Sequence, residues 1–137
     1  MTDSNKGTKY DEGKLPLDLL SPHYLNGTAA VLQFGAKKYD AYNWAKGMKW
    51  SRVFAALMRH MWAWWGGESV DKETGLSHLC HASCCLMFLV HYEATSTGEN
   101  DKPDYGLKEE AGLMLQHEQL TERIENLFAR TWKGLNA

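Results

Sequence analysis

The sequence predicts an all-α fold: a four-helix bundle with an N-terminal arm, all within one domain over residues 1–137. Three observations lead there. Apolar residues recur at helical spacing in four stretches, each bounded by capping or breaking residues. No stretch alternates apolar and polar residues as a half-buried strand does. One stretch, residues 76–94, is apolar nearly all round, as the most buried helix of a bundle is.

Residues 1–20 form the arm. Within it, 9–20 mixes charges with Leu15, Leu17, Leu19 and Leu20, and the spacing predicts a short turn held down by those leucines. Ser21-Pro22 is a helix start, because Ser caps the free N–H groups and Pro suits the first turn. The first helix should run over 22–38, weakly interrupted by Gly27. A loop rich in Lys and aromatics follows, through Tyr39, Asn43 and Trp44. Ser51 is the next N-cap candidate, and the second helix should span 52–65 and stop at Gly66-Gly67. Val53, Leu57, His60 and Trp64 share one of its faces. A loop occupies 66–75, and the third helix completes a core over 21–94. A polar linker over 95–106 precedes a last helix over 107–133, where Leu113, His117, Leu120, Ile124 and Leu127 follow heptad-like spacing suited to packing on another helix, in cis or in a partner subunit.

The 137 residues carry 15 basic and 17 acidic side chains, with 44% hydrophobic residues. That balance argues against a nucleic-acid surface, which needs excess positive charge. No apolar run is long enough for a membrane span, and the polar N-terminus has no signal-peptide character. Three cysteines lie bunched as Cys80, Cys84 and Cys85, a poor disulfide framework, so a reducing, cytoplasmic setting is expected.

Chemistry concentrates between Arg59 and His81. The stretch holds His60, Glu68, Asp71, Glu73, His78 and His81 between apolar segments, where ionisable groups are costly unless paired. Glu68 and Asp71 are three apart, as are His78 and His81, so on a helical turn each pair faces one way. Carboxylates with imidazoles suit a divalent ion: Mn, Co, Zn or Fe, with Mg favoured if oxygen ligands dominate. The competing reading is an acidic loop at a helix N-terminus with a core histidine nearby. The cysteines read as buried apolar groups, not zinc ligands. Lys9, Lys14, Lys37, Lys38 and Arg59 are candidate phosphate binders, Asp11 a candidate to orient an arm lysine. Tyr39 and Trp44 beside the lysines suit a stacked base, and Asn43 a base edge. No Walker A, G-x-G-x-x-G, G-x-S-x-G or His-Asp motif is present.

Lys9-x-Asp11-x-Gly13-Lys14, Phe34-Gly-Ala-Lys-Lys-Tyr39 with Asn43-Trp44, Arg59-His60, and Gly67-Glu68-x-x-Asp71-x-Glu73-x-Gly75-x-x-His78-x-x-His81-Ala82 together resemble the phage dATP/dGTP diphosphohydrolase N-terminal domain family. The similarity covers about residues 9–92. It implies a MazG-like all-α nucleotide pyrophosphohydrolase, an oligomer that uses Mg or Mn to split a purine deoxynucleoside triphosphate into monophosphate and pyrophosphate. The wider group carries E-x-x-E on one helix and E-x-x-D on the next; here Glu68-x-x-Asp71 is the matching carboxylate pair, and His78 and His81 stand where the second acidic pair falls. On this reading Glu68, Asp71, His78, His81 and His60 hold the metal, and Glu73 or Glu68 takes the proton from the attacking water. Two other classes fit the same residues: a protein that binds and sequesters a nucleotide without cleaving it, and a metal-stabilised helical partner protein. No nucleic acid or membrane partner is expected.

Overall fold

The computed structural model describes residues 6–105, 119, 121–126 and 129–130. The described residues are helical, and no strand occurs among them. Three long helices make the core: α1 over Pro22–Lys38, α2 over Trp50–Trp65 and α3 over His78–Thr95. Short 3-10 turns stand at Leu17–Leu19 and Asn43–Lys46. Of the expected last helix, residues 119, 121–126, 129 and 130 are helical; the heptad positions Leu113, His117, Leu120 and Leu127 lie outside the described residues.

α1 begins where its local signals place it. The Ser21 side chain accepts from the Tyr24 N–H, with Pro22 in the first turn. Its centre packs tightly on α3. The Thr28 and Ser83 hydroxyls share a buried hydrogen bond of 2.6 Å. A Cβ at Gly27 would collide with the Cys80 thiol, so Gly27 permits this approach at the cost of some helix propensity.

α2 begins two residues earlier than expected, and Ser51 is not its N-cap. Instead the segment after α3 reaches back. The Asp101 carboxylate accepts from both the backbone N–H and the hydroxyl of Ser51. Trp50 N donates to the Glu99 carbonyl, Glu99 N to that of Met48, and the Trp50 indole N–H to the Thr97 carbonyl. The two strips come so close that a Cβ at Gly47, which has φ of 90°, would lie 2.6 Å from Gly98 N. Residues 97–101 thus clasp the head of α2.

α3 is central, as expected. It packs on both other helices, more extensively on α2, and carries the buried His78, Ala82, Ser83, Cys84 and Tyr92. Tyr92 is fully buried and its hydroxyl donates to the Trp44 carbonyl, which fixes the loop after α1 on this helix. Two expectations fail. Leu79, Leu86 and Val90 of α3 are exposed, so its apolar circumference is not wholly covered. The arm leucines are also uncovered: Leu15, Leu17, Leu19 and Leu20 are 48–76% exposed, so they do not pin the arm down. No described helix is long and apolar enough to cross a membrane.

Candidate metal centre and adjoining cavity

α2 ends at Gly66-Gly67, where Gly67 has φ of 101°. The chain then makes an ordered loop rather than a helical turn. Val70 and Ser77 form an antiparallel bridge. Asp71 N donates to the Leu76 carbonyl at 2.8 Å and His78 N to that of Ser69 at 3.1 Å. Asp71 organises the tip: its Oδ1 accepts from the N–H groups of Glu73 and Thr74 and from the Thr74 hydroxyl. Among the described residues, the hydrogen bonds to the Asp71 side chain all fall on Oδ1.

Because 68–71 is not helical, its two carboxylates do not point together as the spacing suggests. Glu68 reaches His78, with 3.4 Å between Oε1 and Nε2, whereas Asp71 faces His81 at 3.9 Å. His60, projecting from α2, joins them. Its Nδ1 lies 2.9 Å from Nδ1 of His78, and its ring stacks on His81 with centroids 4.5 Å apart. The ligand atoms of His60, Asp71 and His78 all lie within 4.8 Å of one another. The sequence-predicted set is therefore gathered at one place. His60, Asp71 and His78 are the closest group, with Glu68 and His81 beside them.

His78 is 5% exposed, and its Nε2 forms no hydrogen bond despite the nearby Glu68. A buried, unpartnered imidazole nitrogen is costly unless something completes it. Burial, together with the charges of His81 and His78, lowers the His60 pKa. Burial also lowers that of His81, against the pull of Asp71. Burial pushes the Asp71 carboxyl up, but the Thr74 N–H, the His81 charge, the Thr74 hydroxyl and the Glu73 N–H outweigh it and hold the pKa low. A lowered pKa at His60 and His81 and at Asp71 favours the neutral imidazole and the ionised carboxylate, the forms that ligate metal. The residues present thus fit a divalent cation.

His81 also lines a cavity of about 600 Å³ between α1, the Asn43–Lys46 turn and α3. That volume is in the range of small-molecule sites. Trp44 and Phe88 stack in its wall, 4.9 Å between centroids and 6° from parallel. Lys38, Tyr39 and Asn43 border it too, which gathers most of the expected nucleotide-binding loop; Lys37 is exposed at the end of α1. Lys38 does not stand alone. Its Nζ donates to Glu73 Oε1 at 2.7 Å, an ion pair that ties α1 to the metal loop and raises the lysine pKa. Arg59 falls elsewhere, in a second cavity with Arg52 that shares Met48, Cys85 and Phe88 with the first. Lys9 and Lys14 both pair with Asp11 inside the exposed arm. Burial drives the Cys84 thiol up to about 12, and all three cysteines are free, as expected of apolar fillers.

Sequence reasoning missed two contributors. Thr74 bridges the Asp71 carboxylate and His81 Nε2, the latter at 2.7 Å; an Asp followed three residues later by Thr is the local signal of such a turn. Phe88 has no such signal, since it reads as one more apolar residue of α3.

Comparison with known proteins supports the same assignment. The family described as dATP/dGTP diphosphohydrolase, N-terminal, matches residues 4–102. The match ends beside the clasp on α2. A relative from Salmonella phage PMBT28 named dATP/dGTP diphosphohydrolase is 41% identical over 83 residues, covering 61% of this chain and 28% of the relative. The chain therefore corresponds to a minor part of that relative's length. No solved structure matches. With a family match over most of its length, the chain belongs to the dATP/dGTP diphosphohydrolase N-terminal family.

Proposed function

We propose that this protein is a metal-dependent hydrolase of purine deoxynucleoside triphosphates, releasing the monophosphate and pyrophosphate. The observation that carries the reading is the junction of a histidine–carboxylate cluster with a nucleotide-sized, aromatic-walled cavity, the two meeting at His81. The relative's name supports the substrate class.

His60, Asp71 and His78 would hold the ion, with Glu68 and His81 beside them. When bound, a divalent cation supplies charge compensation to the phosphates and raises the acidity of water. The chain's own groups do the rest. The aromatic wall of Trp44 and Phe88 positions the base, and Asn43 offers donor and acceptor groups to its edge. Lys38 and Lys37 at the end of α1 bring positive charge to the phosphates. A water oxygen attacks the α-phosphorus, the bond to the bridging oxygen of the β-phosphate breaks, and pyrophosphate leaves. Glu73, oriented by Lys38, accepts the water proton. Lys9, Asp11, Lys14 and Arg59 are assigned to outer contacts with the triphosphate. The family resemblance implies Mg or Mn, and the nitrogen-bearing donor set suits Mn, Zn, Co or Fe.

The exposed Phe54, Met58, Met61, Trp62 and Trp65 on α2 support self-association, because isolated domains seldom leave so much apolar surface uncovered. Free thiols and the lack of a described membrane-crossing helix accord with a cytoplasmic site of action.

The test incubates the protein with each deoxynucleoside triphosphate and a divalent ion, then separates products by ion exchange. Release of monophosphate and pyrophosphate from dATP or dGTP is expected. Intact nucleotide in every reaction, recovered bound to protein, would overturn hydrolysis in favour of sequestration.

A further inference from the structure

We propose that the centre selects a borderline transition ion such as Co, Zn, Mn or Fe over Mg, held by Nδ1 of His60, Nδ1 of His78 and the Asp71 carboxylate, with Glu68 a positioning residue for His78 and not a ligand. The inference rests on the metal site of the proposed function and adds its ligand set and selectivity.

The donor set comes first. Two imidazole nitrogens and one carboxylate are a poor match to Mg, which takes oxygen ligands almost alone. They match the harder-to-soft borderline ions, and such a three-ligand group leaves positions open for substrate and water. The spacing agrees. Two nitrogens at the right angles of a six-coordinate ion, each roughly 2.05 Å from it, stand about 2.9 Å apart, and about 3.3 Å apart around a tetrahedral one. His60 Nδ1 and His78 Nδ1 are 2.9 Å apart. Asp71 keeps its loop hydrogen bonds on Oδ1, so its second oxygen can serve the ion without undoing the loop.

Glu68 follows from the other edge of the His78 ring. With Nδ1 committed to the ion, His78 carries its proton on Nε2, and that atom faces Glu68 Oε1 at 3.4 Å. Ligand histidines commonly donate this second N–H to a carboxylate, which fixes tautomer and ring angle. A shortening of that 3.4 Å separation would give the unpartnered Nε2 of His78 its acceptor. His81 is occupied differently: its Nε2 bonds the Thr74 hydroxyl, and its ring stacks on that of His60.

The experiment uses the full chain stripped of metal and titrated with cobalt chloride. It reads the visible d–d absorption and the dissociation constant, with no nucleotide present. One equivalent of cobalt should bind, and millimolar Mg should not displace it. His60→Ala and His78→Ala should each weaken binding by about a hundredfold or more, and Glu68→Gln by roughly 10–100-fold. In Glu68→Gln the absorption band should keep its energy, because the ligand set is unchanged. Displacement of cobalt by Mg, or unchanged affinity in His60→Ala, would overturn the site. A shifted band in Glu68→Gln would make Glu68 a ligand and overturn its positioning role. His60 is the variant of choice should His78→Ala lose its helical circular dichroism, since its ring is only half-buried. Nucleotide release with Mg in the absence of cobalt binding would remove this inference while leaving the proposed function standing.

Discussion

Thr74 shows how much of the centre depends on a residue with no chemistry of its own. Its hydroxyl joins the carboxylate of Asp71 to His81, and its N–H helps keep that carboxylate ionised. Thr74→Val preserves shape and removes the hydroxyl. It should weaken metal binding by about tenfold or more, as loss of outer-shell partners does, and cost about 1 kcal/mol of stability. Calorimetric titration and thermal melting check both; unchanged metal affinity would remove Thr74 from the centre. The histidines themselves were legible in the sequence, since a His pair at i, i+3 beside two carboxylates is rare among apolar residues. Their division of labour was not. The spacing of Glu68 and Asp71 implies a common face only if the turn is helical, and the Val70–Ser77 bridge makes it extended instead. Nor does any local pattern announce that Lys38 and Glu73, thirty-five residues apart, form an ion pair.

Among the elements, the clasp on α2 is the part least visible in advance. α1 was placed residue for residue because Ser21, Pro22 and the helix end act within a turn of themselves. The head of α2 depends on Asp101, fifty residues from Ser51, so no window of sequence contains the cap. Gly47→Ala should cost at least about 2 kcal/mol, since it forces a side chain into positive φ and against Gly98. Chemical denaturation measures it; a loss below half that figure would mean the clasp can open freely. The clasp also gives α2 an acid dependence. Hydrogen bonds from the Ser51 side chain, then from its backbone, hold the Asp101 pKa below the ordinary 3.8. Stability from this contact is therefore present above about pH 4 and lost as pH falls through the lower folded pKa. Asp101→Asn should flatten the melting-temperature profile below pH 4 relative to wild type. An unchanged profile would show that the carboxylate is not what caps the helix.

At the scale of the whole molecule, the uncovered apolar face of α2 and the uncovered arm carry separate expectations. Phe54, Met58, Met61 and Trp65 recur at helical spacing along α2 and are exposed. Met58→Glu should weaken self-association by about tenfold or more in analytical ultracentrifugation while leaving helical circular dichroism intact. A wild-type chain that stays monomeric at all concentrations would contradict this. Removing residues 1–14 should leave the melting temperature nearly unchanged, because Tyr10 is exposed and Lys9 and Lys14 pair with Asp11 inside the arm. It should raise the Michaelis constant for nucleotide by about tenfold, roughly 1.4 kcal/mol, if Lys9 and Lys14 meet the triphosphate; an unchanged constant would assign the arm no part in binding. The all-α class was legible because helical periodicity is a local property. The exposed leucines of the arm were not, because burial depends on what lies opposite.

The central claim is that the His60–Asp71–His78 centre serves hydrolysis in the neighbouring cavity. Its most direct test compares metal-free wild type and His60→Ala, each given dATP or dGTP and saturating divalent ion, by following monophosphate release. The account predicts no release without the ion, restored release in wild type, and a loss of at least about a hundredfold in the variant. Equal release by metal-free and metal-loaded wild type, or undiminished release by His60→Ala, would contradict it.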